Sequence, residues 1–324
     1  MDIKINYSII IPHKNIPGLL QRCLSSIPHR RDVQIVVIDD NSDPDKVDFK
    51  QFPGLNDSFV EIYYLKENKG KGFALNLGLT KAVGKWLLFA DADDFYNYCI
   101  NDILDEYVNS NHDIIFFKHN SIDSSLYTEK KRMMHYNAYI DNWINSKKAK
   151  VKIKADSALR KCPLNWSRLY KAELIKKNEI LFDNVSIAID VTFGYLTGYY
   201  AVSIFADPRA LYTTTVREGS IRHQKITDEK QLDLLYIMFK RYKFFSMHNK
   251  YYTIPKEINI VYRYYFTNKM YFDKSMDILH KLGYSSNEIR RLVILSILFC
   301  APKNKFLKLF SNLKKIASKL WSTS

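Results

Sequence analysis

The chain has 324 residues, 47% of them hydrophobic, and a formal net charge of +15. That length holds one large α/β domain or two smaller ones, and the composition supports a sizeable core, which excludes a disordered chain. The four cysteines (Cys23, Cys99, Cys162 and Cys300) form no C-x-x-C pair, which argues against a zinc site or a disulfide framework and fits a reducing cytoplasm.

The opening "MDIKINYSIIIPHKN" has an early acidic residue and only a short apolar run, unlike a signal peptide. Tyr7–Ile11 reads as a buried strand that stops at Pro12, and Leu19–Ile27 as a helix. Val33–Asp39 is a second buried strand, rich in β-branched residues, and Phe59–Leu65 a third. Gly72–Val83 has helical periodicity and a terminating Gly84, and Lys85–Ala90 is a fourth strand. Asp113–Asn120 reads as another strand, and Ser121–Lys154 as a helical insertion or loop. Asn165–Phe182 reads as a turn and then a helix, Val202–Pro208 as a late strand, and the chain from Asp228 as helical. No apolar run reaches the roughly 18 residues of a spanning helix.

Alternating strands and helices with near-continuous apolar strands predict an α/β fold with a mostly parallel sheet covered on both faces. Ligands of such sheets sit outside the carboxyl ends of the strands. The polar runs fall there: "PHKN", "DDNSD", "ENKGKG" and "DADD" follow the four strands in turn.

"DADD" places Asp91, Asp93 and Asp94 within four positions. Three such carboxylates repel one another unless paired or bound to a cation. They read either as ligands of a hard divalent cation, Mg²⁺ or Mn²⁺, or as a turn in which Asp93 or Asp94 caps a helix starting near Tyr98. Asp39 could accept from a nucleobase N–H, while Asp40 and Ser42 shape the turn. "NKGKG" lacks the order of a phosphate-binding P-loop, and G-x-G-x-x-G is absent.

"YSIIIPHKN", "VVIDDNSD", "NKGKGFALNLGL", "GKWLLFADADD" and "NWSRLYKAELI" come in an order and spacing that resemble family 2 glycosyltransferases of the GT-A fold. The resemblance is dense over Tyr7–Phe95 and continues more thinly to Arg222. It implies a nucleotide-sugar donor, commonly a UDP-sugar, and Mg²⁺ or Mn²⁺. On this resemblance Asp39 would contact the base, Asp91 the ribose or sugar, and Asp93 the metal, with Asp94 able to share that role. Pro12 and Asn15 would shape the loop under the nucleoside. The family's catalytic base stands in an E-D pair, here Ile189–Asp190, so Asp190 would be the base and the glutamate is missing. Asp190 also suits an N-cap of a helix starting at Val191. Lys14 stands where the family often has Tyr, and Leu75 where it often has Arg. Lys71, Arg217 and Arg222 are the cations that could serve the diphosphate, the last two in "VREGSIRH".

The implied reaction is inverting transfer of a sugar to a saccharide or lipid-linked saccharide, in bacterial capsule, O-antigen or exopolysaccharide synthesis. Residues 1–226 would form the catalytic domain, with donor binding in 1–120 and the acceptor and base part in 121–226. Residues 227–324 would form a helical, basic region. From Thr227 on, 18 Lys plus Arg face 7 Asp plus Glu. Within it Lys305–Trp321 alternates Lys with Phe, Leu, Ile and Trp at helical spacing, the pattern of an interfacial membrane helix or of a helix packed on its own domain. The expected location is the cytoplasm, peripheral at the inner face of the plasma membrane. A sugar-phosphate nucleotidyltransferase would want a Gly-rich basic loop after the first strand, which "PHKNIPG" does not supply. No nucleic-acid partner is expected, because no recognised motif appears and the acidic loops repel phosphate.

Overall fold

The computed structural model describes residues 4–217, 226–248 and 254–300, the side chains of 295–300 apart. The chain divides into two compact units, Met1–Val185 with Ile189–Gln224, and Ser186–Ala188 with Lys225–Ser324.

The first unit opens with β1 (Tyr7–His13), α1 (Pro17–Ser25), β2 (Val33–Asp39), β3 (Val60–Tyr64), α2 (Lys71–Lys81) and β4 (Trp86–Phe89). β1 pairs in parallel with β2 and β4, and β2 with β3. The alternation along β1 divides the core into two layers. Tyr7, Ile9 and Ile11 pack with Leu20 and Leu24 of α1, whereas Ile10 packs with Leu75 and Leu79 of α2. α2 lies so close to the sheet that a Cβ on Gly78 would stand 2.3 Å from Ile10 Cγ2.

β1 does not stop at Pro12. It runs on to His13, which sits opposite Asp39. The backbone of the even residues faces β4: Ala90 N–H donates to the Ile10 carbonyl. β4 ends at Phe89, so the N–H that proline lacks has no strand to meet there.

The unit continues with β5 (Phe95–Tyr96), α3 (Ile100–Tyr107), β6 (Ile114–Asp123), α4 (His135–Asn145), α5 (Ala149–Arg160), β7 (Arg168–Lys171), α6 (Ala172–Lys177), α7 (Asp190–Tyr200) and β8 (Ile204–Val216). The described strands form one sheet in the order β3-β2-β1-β4-β7-β6-β8-β5. Its second half is mixed, because β7 runs antiparallel to both β4 and β6, and β5 antiparallel to β8. Three sequence readings change here. Residues 121–123 extend β6, and the rest of the insertion carries α4 and the first half of α5. Asn165–Phe182 contains the strand β7 before a shorter helix. The late strand runs past Pro208 to Val216, because the register with β6 shifts there and leaves Pro208 outside the ladder.

The second unit holds α8 (Asp228–Met247), α9 (Ile258–Thr267), α10 (Lys269–Lys281) and α11 (Ser286–Cys300), in keeping with the helical reading of this region. Its core gathers Leu235, Phe239, Ile258, Val261, Leu279 and Ile289. The segment Lys305–Trp321 lies outside the described residues. Among those described, no helix is long and apolar enough to cross a membrane.

Candidate active site

The strand order reverses across β1, with β2 on one side and β4 on the other. The crevice beyond the carboxyl ends of β1 and β4 is thus the switch point where such sheets take their ligands. The four polar loops meet around it and are tied to one another. Asn15, in left-handed conformation at φ 59°, donates its N–H to Ser42 Oγ at 2.8 Å and accepts from Asp43 N–H at 2.7 Å. Asp40 accepts from the N–H groups of Lys69 and Gly70 at 2.7 and 3.0 Å. Lys71 Nζ then reaches Asp91 Oδ1 at 2.5 Å. Asn15, three positions after Pro12, is therefore tied into a run of contacts that ends at the "DADD" turn.

That turn is held from two distant elements. Arg22 Nη2 of α1 and Thr215 Oγ1 of β8 each donate to the Asp93 carbonyl at 2.6 Å. Thr215 N–H donates to Asp94 Oδ1 at 2.6 Å, and Asp91 N–H to Tyr212 Oη at 2.8 Å. β5 follows at once, and α3 begins only at Ile100 with Cys99 in the cap position. Neither Asp93 nor Asp94 caps that helix. Backbone pinning of this kind brings one oxygen of each of Asp91, Asp93 and Asp94 within 4.8 Å of the others.

The three carboxylates differ in setting. Asp91 is paired with Lys71. Asp93 is paired with Arg217, Nε to Oδ2 at 3.0 Å. Asp94 is 1% exposed. Burial pushes its carboxyl well above the ordinary range; the charges of Asp91 and Asp93 add to this, and the Thr215 N–H opposes it. For the Lys71 ammonium, burial works downward, but Asp91, then Asp190 and Asp93, outweigh it and hold its pKa raised. Lys71 thus senses both the "DADD" turn and Asp190.

Asp190 is the first residue of α7 and half-buried. Ile189 takes the cap position, so Asp190 is not the N-cap of that helix. A close backbone contact brings the start of α2 to the segment before α7. A Cβ on Gly72 would stand 2.1 Å from the Asp183 carbonyl, so only glycine fits beside Lys71.

Asp39 is 1% exposed, and its carboxylate accepts three hydrogen bonds from its own surroundings. His13 Nδ1 and Ser42 Oγ reach Oδ1 at 2.7 and 2.6 Å, and Ser42 N–H reaches Oδ2 at 2.9 Å. Burial alone would raise its pKa, but these bonds prevail and lower it, so it stays ionised. Arg222 lies outside the described residues. Sequence reasoning passed over Arg22, Tyr212 and Thr215, which build the turn without carrying a motif, and over His13, which stood inside a quoted one.

A doubly covered sheet with an acidic turn at its switch point defines an α/β protein whose ligand crevice lies beyond the carboxyl ends of its strands. The sequence profile described as glycosyl transferase family 2 matches residues 8–177, more than half of the chain. The chain belongs to that family. It is 26% identical over 248 residues to the glycosyltransferase GlyA of Streptococcus pneumoniae, covering 72% of this chain and 33% of that protein. It is 35% identical over 90 residues to a PGL/p-HBAD biosynthesis glycosyltransferase of Mycobacterium tuberculosis, covering 27% of this chain and 35% of that one. The chain thus spans about a third of the length of these relatives. Among solved structures, S. aureus TarS 1–349 in complex with UDP-GlcNAc aligns with TM-score 0.57 at 19% identity, over 89% of this chain and 84% of that one. The mannosyltransferase PcManGT of Pyrobaculum calidifontis, in complex with GDP-Man and Mn²⁺, aligns with TM-score 0.51 at 14% identity, over 99% and 89%. The fold is the GT-A fold these proteins share.

Proposed function

We propose that the protein transfers a sugar from a nucleotide-sugar donor to a saccharide or lipid-linked saccharide, with inversion, in the assembly of a bacterial surface polysaccharide. The observation that carries this reading is the convergence of Asp39, Lys71, Asp91 and Asp93 at the switch point, with Asp190 acting on the same lysine. In it, residues 1–226 are the catalytic part and residues 227–324 a helical basic region.

The "DADD" turn suits a divalent cation. Three carboxylates offer oxygens within 4.8 Å of one another, and hard cations such as Mg²⁺ or Mn²⁺ take oxygen ligands. Asp93, partly exposed, is the ligand we assign, and Asp94, buried against Thr215, can share the role or serve as the turn's anchor. A bound cation would supply charge to stabilise the departing diphosphate.

The chain's own groups do the rest. Asp39 has one acceptor position left on Oδ2 for a base N–H, Pro12 and Asn15 support the nucleoside, and Asp91 takes a sugar hydroxyl. Lys71 and Arg217, now paired with Asp91 and Asp93, stand beside the place where the diphosphate's negative charge grows, with Arg222 a further candidate. Asp190 accepts the proton of the acceptor hydroxyl as its oxygen bonds to the anomeric carbon. The bond from that carbon to the diphosphate breaks, and the electron pair leaves with it. One displacement with one base inverts the centre. Thermal unfolding with UDP, GDP, CDP, ADP and their sugar derivatives, with and without Mn²⁺, tests the donor site. One nucleotide class should raise the midpoint, more so with Mn²⁺. No response to any of them would remove the reading.

The basic region supports docking at the inner face of the plasma membrane through Lys305–Trp321, because anionic lipid attracts each nearby Lys or Arg by about 1 kcal/mol. The full chain should float with anionic liposomes and a chain ending at residue 302 should not; equal recovery of the two would exclude that segment as the anchor.

A further inference from the structure

His13 is a buried residue with no part in the chemistry above. It is 2% exposed, and its side chain stands beside Asp39, its ladder partner on β2. Both ring nitrogens are engaged. Nδ1 meets Asp39 Oδ1 at 2.7 Å, and Nε2 meets the Ile16 N–H at 3.1 Å, where α1 is about to begin. An ionised carboxylate only accepts and a backbone N–H only donates. Both contacts therefore need the neutral ring with its proton on Nδ1 and a bare Nε2. Phe52 holds the ring edge-on, 5.3 Å between centroids at 90°.

The consequence falls on Asp39. His13 and Ser42 Oγ occupy Oδ1, and Ser42 N–H occupies one position of Oδ2. Of about four acceptor positions on a carboxylate, one remains unfilled among the described residues, and it is on Oδ2. The surrounding bonds fix its direction. A carboxylate acceptor suits a base with a ring N–H, as in uracil or guanine. It repels cytosine, whose N3 offers a lone pair at the place where uracil carries its proton.

We propose that His13 is the positioning residue that aims the free lone pair of Asp39 at the donor's base, and so sets base selectivity. This rests on the donor-site reading above. Through its bonds to Asp39 and the Ile16 N–H, His13 acts on the base end of the proposed donor site.

The test is titration calorimetry with UDP, GDP, CDP and inorganic pyrophosphate in the presence of Mn²⁺, on the full chain and two variants. In His13→Asn the amide nitrogen takes the place of Nδ1 and keeps the Asp39 bond. In His13→Gln the amide oxygen takes the place of Nε2, keeping Ile16 and losing Asp39. The wild-type protein should prefer UDP or GDP to CDP. His13→Gln should cut that preference about tenfold, the scale of one charge-assisted hydrogen bond, with pyrophosphate affinity unchanged. His13→Asn should retain it. A His13→Gln protein with wild-type selectivity, or equal losses for nucleotide and pyrophosphate, overturns the assignment while leaving the donor site standing. A wild-type protein that binds no nucleotide overturns both. A ¹⁵N imidazole spectrum of the unaltered protein is a check that no folding defect can confound: a His13 proton on Nε2 overturns the assignment.

Discussion

Asp190→Asn is expected to lower sugar transfer by about 10³-fold while donor affinity stays within a few-fold of the wild type, since a positioned general base contributes about 10²–10⁴. Asparagine keeps the size of the side chain and its place at the first turn of α7, but cannot take a proton. The donor side should tolerate the change. Lys71 keeps its 2.5 Å contact with Asp91, which acts on it more strongly than Asp190 does. Losing one negative charge should, if anything, leave the lysine freer to meet a diphosphate. Stopped transfer assays with calorimetry on the same preparation separate the two quantities. Near-normal turnover in Asp190→Asn would take the base role from this residue. The departure at Ile189 makes the result informative: with no glutamate beside it, no neighbouring carboxylate of an E-D pair can stand in.

The site was legible in the sequence to the extent that it hangs on strand ends. The apolar runs mark β1, β2 and β4, though not the end of β1, and each hands its polar residues to the same edge of the sheet. That rule puts Asp39, Lys71 and Asp91 on this edge, while their roles rest on the family resemblance. What could not be read was the support. Arg22 and Thr215 meet the Asp93 carbonyl across 71 and 122 positions of sequence, and a hydrogen bond to a backbone oxygen leaves no pattern in residue types. β7 was missed for a related reason. "RLYK" carries two cations in four residues and reads as surface, yet Arg168 is buried, its guanidinium 4.6 Å from the Phe116 ring centroid and hydrogen-bonded to the Cys162 carbonyl. Such a strand is favoured by its neighbours, not by its own composition. Pro12 shows the converse, where a local rule for ending strands yields to an edge with no ladder to break.

Asp93→Ala should weaken Mn²⁺-dependent donor binding by at least about 100-fold, because changes to residues that only support a metal ligand already cost about 10–100-fold in affinity. The alternative ligand can be told apart. Asp94 is buried and receives the Thr215 N–H, so Asp94→Asn preserves that bond through its amide oxygen and removes only the capacity to ionise. If Asp93 is the ligand and Asp94 the anchor, Asp94→Asn should keep most of the Mn²⁺ effect and Asp93→Ala should lose it. The fold should survive in Asp93→Ala, since the turn is pinned through the Asp93 carbonyl and, among the described residues, the side chain holds only Arg217. Its melting temperature without ligands should therefore stay close to the wild type. Arg217, released from its carboxylate, adds a second signature: metal-free affinity for a nucleoside diphosphate should hold or rise as the metal-dependent part collapses. A full Mn²⁺ enhancement in Asp93→Ala, lost instead in Asp94→Asn, would move the ligand to the buried carboxylate and make Asp93 the counter-ion of Arg217.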